Sequence, residues 1–100
     1  MAKTFVAEEK EIPQGAGKMV SANGRNIGLF RVGGKIYAMH GTCAHRGGPV
    51  GEGKTEGGIV TCPLHGWQYD VTNGECKTTP NIRLPTYDVT VENGKVYIDI

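Results

Sequence analysis

No apolar run in this sequence approaches the roughly 20 residues a membrane-spanning helix needs. The N-terminus lacks both the charged-apolar-small order of a signal peptide and a twin-arginine leader, so the expected location is the cytoplasm. Net charge is scarce as well. Eleven Lys and Arg against ten Asp and Glu, interspersed along 100 residues, leave +1, which gives no electrostatic reason to expect nucleic acid or a membrane surface as partner. No stretch repeats apolar residues at helical spacing over three turns. An even set of cysteines is missing too: Cys43, Cys62 and Cys76 cannot close a disulfide framework. An odd count leaves metal or redox chemistry, or buried thiols, as the readings. No Ser, Lys or carboxylate pair is arranged for covalent or acid–base catalysis.

Turns and short strands are what is present. The length suits a single domain, 1–100, whose small core would profit from a staple. Asn23-Gly24, Gly33-Gly34, Asn73-Gly74 and Asn93-Gly94 each stand between strand-like segments, and Asn-Gly is a strong hairpin signal. Tyr87, Val89 and Val91 alternate with polar residues before Asn93-Gly94, and Val96, Ile98 and Ile100 alternate after it, which predicts one half-buried antiparallel hairpin. Thr4 to Ala7, Lys18 to Ala22, Asn26 to Val32 and Lys35 to Met39 read as four earlier strands, and Glu8 to Glu11 as a solvated strand end. The fold class expected is all-β, a small antiparallel sandwich or barrel.

From Gly41 to Gly66 the pattern changes. Eight of the sixteen glycines fall there, with one β-like run from Gly58 to Thr61. The expectation is a loop-rich subdomain at approximately 41–70, and loops of that length in a small domain are usually functional or disordered. Each end carries a cysteine with a histidine close behind, Cys43-Ala44-His45 and Cys62-Pro63-Leu64-His65-Gly66-Trp67. Two thiols and two imidazoles on two loops make a metal site. Zinc is one candidate, which would make the chain a structural binding module. Zinc loops, however, usually pair like ligands in one knuckle, whereas each loop here gives one thiolate and one imidazole. That suits a binuclear centre in which the cysteines hold one iron and the histidines the other.

The stretch Cys43-Ala44-His45-Arg46-Gly47-Gly48, followed by Cys62-Pro63-Leu64-His65-Gly66-Trp67-Gln68-Tyr69-Asp70, resembles the Rieske family, and in particular the low-potential Rieske-type ferredoxins of bacterial oxygenases. The likeness extends through Gly74, Pro80, Leu84, Tyr87 and the final hairpin. The resemblance implies one [2Fe–2S] cluster, with Cys43 and Cys62 on the buried iron and His45 and His65 on the iron nearest solvent. It implies a monomeric carrier taking electrons from a flavin-dependent reductase to a terminal oxygenase; the alternative is a small subunit of a larger oxidoreductase such as a nitrite reductase. With all four positions filled by protein, no site is left open for substrate, so the chain would carry electrons rather than catalyse.

Arg46, Gly48, Gly66, Trp67, Tyr69 and Pro80 are the candidates for the shell around the ligands. The high-potential branch of the family has a disulfide where this chain has Gly48 and Leu64, and a serine where it has Trp67. Tyr69 remains as a hydroxyl able to donate to a cysteine sulfur, and a loop around Pro80 would cover the cluster. The resemblance therefore implies a potential near the low end of the Rieske span, roughly −150 to 0 mV. His40 reads as a surface or outer histidine, and Cys76 as a small hydrophobe or an exposed thiol.

Overall fold

The computed structural model describes residues 3–100. Ten strands account for its regular structure: β1 (Lys3–Glu8), β2 (Lys18–Ala22), β3 (Arg25–Val32), β4 (Lys35–His40), β5 (Lys54–Glu56), β6 (Ile59–Thr61), β7 (Gln68–Asp70), β8 (Thr86–Tyr87), β9 (Val89–Glu92) and β10 (Lys95–Asp99). They form three antiparallel sheets in the orders β1-β10-β9, β2-β3-β4-β8 and β5-β6-β7. No α-helix is found among the described residues, and no helix is long and apolar enough to cross a membrane. The all-β expectation is met.

The β2-β3-β4-β8 sheet lies in the middle, and its residues show why. Along β3, residues 27 to 30 are all buried, the mark of a strand covered on both faces. Ile27 and Leu29, with Ile36 and Ala38 of β4, join Ala7, Val96 and Ile98 of the β1-β10-β9 sheet in one core. Phe30 and Met39 face the other way, into a second core with Val60, Tyr69, Val71 and Leu84. Cys43, Cys62 and Cys76 are buried in that second core. A 3₁₀ turn at Val50–Glu52 seats the first cysteine loop on this sheet. Its approach is so close that a Cβ on Gly28 would stand 2.7 Å from the Gly51 Cα.

Three local expectations need correction. The segment from Tyr87 to Glu92 is not one strand: Tyr87 pairs with Ala38 in the middle sheet, and the chain then crosses at Asp88 to form β9, the edge of another sheet. Val91 on that edge is 40% exposed, while its partner Val96 is fully buried. Alternation predicts burial only where something covers the face. Residues 41–70 hold two further short strands, β5 and β7, besides β6. Finally, Glu9–Glu11 is a 3₁₀ turn rather than a strand end.

Arg31 anchors that turn. Its Nε donates to the Ile12 carbonyl at 3.1 Å and its Nη2 to the Glu9 carbonyl at 2.7 Å, while the Glu9 carboxylate lies 3.7 Å from Nη1. Ile12 is thereby sealed into the first core at 2% exposure. Arg31→Met retains the apolar stem and removes both charge-assisted bonds, each worth about 1.5–3 kcal/mol. After solvent competition at this partly exposed guanidinium, a loss of about 2 kcal/mol is expected, a fall of roughly 10 °C in thermal midpoint. Thermal unfolding followed by circular dichroism measures it, and an unchanged midpoint would deny Arg31 this role.

Candidate metal centre

Two loops with one hydrogen-bonding plan present the cysteines. In the first, Cys43 N–H donates to the Gly48 carbonyl at 2.8 Å and Gly47 N–H donates back to the Cys43 carbonyl at 3.0 Å. In the second, Cys62 N–H donates to the Trp67 carbonyl at 2.7 Å and Gly66 N–H to the Cys62 carbonyl at 3.0 Å. Both loops thus close at a glycine four residues after the cysteine. Gly47 has φ +70° and Gly66 φ +79°, a left-handed conformation that favours glycine. The sequence pattern selects Gly66 but not Gly47 as a site residue, although the two share the Cys-x₃-Gly spacing.

The loops turn their sulfurs inward. Cys43 and Cys62 are 4% and 2% exposed, are not disulfide-bonded, and lie close enough for the Cys43 thiol to act on that of Cys62. Backbone N–H groups bear on both sulfurs: His45 N–H donates to Cys43 Sγ at 3.4 Å, and those of Leu64 and His65 favour the thiolate of Cys62. A neutral thiol has little use for such donors, and a thiolate is stabilised by them. Burial nonetheless pushes the metal-free Cys62 thiol above its ordinary pKa, the donors only partly opposing it. A bound cation would supply the missing compensation.

Tyr69 completes the inner side. Fully buried on β7, its hydroxyl accepts from Ala44 N–H at 3.1 Å and stands 3.3 Å from Cys43 Sγ. Burial is the first cause, and the Cys43 bond the second, of a phenol pKa well above the usual value. The hydroxyl therefore keeps its proton and can donate it to the sulfur. Gly48 supplies room: a Cβ there would lie 2.8 Å from Cys62 Sγ and 2.8 Å from the Leu64 Cβ. Gly48→Ala should force the loops apart, costing about 1–3 kcal/mol and lowering the content of the cluster that the resemblance implies. Iron and labile-sulfide assays on the purified variant, with its thermal midpoint, check both effects.

The imidazoles lie outside the sulfurs. His45 is partly buried and His65 exposed, with ring centroids 5.0 Å apart at 75°. Trp67 stacks on His45 at 4.5 Å and 6°. Desolvation, then the charges of His65 and Arg46, hold His45 below its ordinary pKa, which favours the neutral form a metal takes. Arg46 itself is exposed. The four side chains do not ring a single point: no group of three or more His, Cys, Asp or Glu is set for one metal ion among the described residues. A pair of soft donors inside and a pair of nitrogens outside suit a two-metal group.

The remaining candidates stand apart. Cys76 is buried and accepts from Thr79 N–H at 3.4 Å, as a small core residue would. His40 ends β4, its N–H bonded to the Pro85 carbonyl at 2.8 Å. Pro80 is exposed on a bend tied to β7 through Lys77 N–H to the Gln68 carbonyl and Gln68 N–H to Thr78 Oγ1.

A family model for the Rieske [2Fe-2S] domain matches residues 2–88. The chain belongs to the Rieske family. A Rieske domain carries one [2Fe–2S] cluster, and its task is to move electrons. Among curated relatives, the ferredoxin component of the naphthalene 1,2-dioxygenase/salicylate 5-hydroxylase systems of Ralstonia sp. is 37% identical over 89 residues, 88% of this chain and 86% of that protein. A solved ferredoxin of Sphingomonas yanoikuyae B1 superposes with a TM-score of 0.90 at 28% identity, covering 99% of both chains. A ferredoxin chain from a complex of reduced oxygenase and oxidized ferredoxin in carbazole 1,9a-dioxygenase gives 0.86 at 28% identity, over 96% of this Rieske chain and all of that one.

Proposed function

We propose that this Rieske protein is a monomeric ferredoxin that takes single electrons from a flavin-dependent reductase and delivers them to a terminal oxygenase. The observation that carries the reading is the layered donor set: two buried thiols, Cys43 accepting a backbone N–H, with a partly buried and an exposed imidazole outside them. Cys43 and Cys62 would hold one iron and His45 and His65 the other. When bound, the cluster supplies a one-electron couple at a potential set by its ligands and their hydrogen bonds. The chain's own residues do the rest. The buried cysteines and Tyr69 keep water from the sulfurs, while His45 and His65 form the short route from cluster to partner. Residues 41–70 act as the cluster-binding part, with Gly48 and Gly66 shaping the loops, Arg46 beside the exit route and the Pro80 bend as cover.

The test is electron transfer between purified components from the native host. Reduced by a flavoprotein reductase, the protein should be reoxidised by the terminal oxygenase, and in host extract it should elute alone near its 10.7 kDa mass. Stable co-elution with a larger oxidoreductase would instead mark it as a fixed subunit. A colourless, zinc-loaded preparation without labile sulfide would overturn the reading altogether.

A further inference from the structure

The two imidazoles are not held alike, and the difference comes from one side chain. Trp67 is the sole tryptophan of the chain. Its carbonyl closes the second loop by accepting from Cys62 N–H, and its side chain packs partly against the second core. From that anchorage the indole reaches across to the first loop and lies flat on His45, 4.5 Å between centroids and 6° between planes. His65 lies steeply inclined to His45, at 75° and 5.0 Å between centroids, and is open to solvent. So the parallel stack that joins the loops runs from the residue after Gly66 to the histidine after Ala44.

We propose that Trp67 is a positioning residue for His45: by stacking, it fixes the plane of that imidazole and shields one face from water, leaving His65 as the mobile partner. The inference rests on the reading of His45 and His65 as cluster ligands. A parallel stack constrains a ring's tilt, and outer partners that orient a ligating histidine commonly affect retention of the metal by about tenfold or more. Any flat ring of sufficient size at position 67 can do this. An aliphatic side chain of similar bulk can fill the space but cannot set the plane.

The experiment compares wild-type holoprotein with Trp67→Phe, Trp67→Leu and Trp67→Ala. Two measurements are made: pulsed EPR of the reduced protein, which resolves the nitrogen couplings of ligating histidines, and the bleaching rate of the oxidised cluster in air. Phe is expected to stay within about twofold of wild type in bleaching, with both couplings preserved. Leu should bleach about tenfold faster and shift one coupling while the other stays. Should Ala fail to assemble a cluster, the Phe and Leu pair alone decides. Leu matching Phe in both measurements overturns the inference, because plain apolar cover would then suffice, and so does a shift of both couplings together, which would report general loosening. Absence of two histidine nitrogens in the wild-type spectrum is a different failure: it removes the ligand reading, whereas two unshifted couplings in Leu remove only the role of Trp67.

Discussion

Cys43→Ala and Cys62→Ala should leave less than roughly a tenth of the two irons and two labile sulfides per chain, whereas Cys76→Ala should keep them nearly in full. All three thiols are buried in the same core, so burial does not separate them. What does is the company of the sulfur. Cys43 accepts from His45 N–H, stands 3.3 Å from the Tyr69 hydroxyl, and its thiol acts on that of Cys62; Cys76 accepts a single N–H within its own turn, from Thr79, and belongs to neither ligand loop. Cys76→Ala removes one such bond and a small volume, at about 1–2 kcal/mol. His45→Ala and His65→Ala should lose the cluster as well, yet the His65 side chain is exposed, so metal-free His65→Ala should unfold close to the metal-free wild type, while His45→Ala also loses the Trp67 stack. Iron and sulfide assays with thermal melts of both forms make the test. A Cys76→Ala protein without cluster, or a Cys43→Ala protein with one, would show the ligand set to be misassigned.

Much of this architecture was legible because its turns are local chemistry. Asn23-Gly24, Gly33-Gly34 and Asn93-Gly94 all adopt positive φ at both residues and join neighbouring antiparallel strands, as the dipeptides imply. Gly57-Gly58 does the same, at φ +58° and +85°, between β5 and β6. Its first strand was missed because Lys54-Thr55-Glu56 offers no apolar alternation, and a glycine-dense segment reads as loop. Asn73-Gly74 also lies in a turn between antiparallel segments, but not as a two-residue hairpin loop. Only Gly74 has positive φ; Asp70 accepts from Thr72 in a local turn, and a Cβ at Gly74 would meet the Leu84 carbonyl. That glycine therefore serves a close approach as well as the turn, across which Tyr69 bridges Cys76 antiparallel and Asp70 N–H donates to the Glu75 carbonyl at 2.9 Å. Such close approaches join distant parts of the chain, as does the sheet change at Asp88, and a local pattern carries no trace of either.

The site was legible to a different depth. The thiol and imidazole residues announce themselves by type and spacing, because few other arrangements call for soft and borderline donors on two glycine-rich loops. Their geometry does not. That Cys43 and Cys62 share the inner level while His45 and His65 share the outer one follows from loops whose register is set by Gly47 and Gly66. The stack of Trp67 on His45 depends on the two loops meeting, and the interval between them in sequence says nothing of it.

Tyr69→Phe should lower the reduction potential by about 40 mV without costing the cluster. The hydroxyl stands 3.3 Å from Cys43 Sγ and already accepts from Ala44 N–H at 3.1 Å. Its own proton is therefore free to point at the sulfur. A donor to a ligating sulfur favours whichever redox state places more negative charge there, and that is the reduced one. Only the difference between the two states counts. Taking about 1 kcal/mol of a charge-assisted bond as felt in the reduced state alone, and 59 mV per tenfold for one electron, gives a fall of about 40 mV. The phenyl ring retains the packing of a fully buried side chain, so the cost in stability should stay near the 1 kcal/mol of the lost bond. The starting value should lie near the low end of the Rieske span, roughly −150 to 0 mV, because Trp67 has no hydroxyl to offer the cluster. Protein-film voltammetry reads both numbers. A wild-type potential near +300 mV would be out of reach of the donor set as drawn, and a Tyr69→Phe potential equal to or above wild type would mean that the hydroxyl does not donate to Cys43.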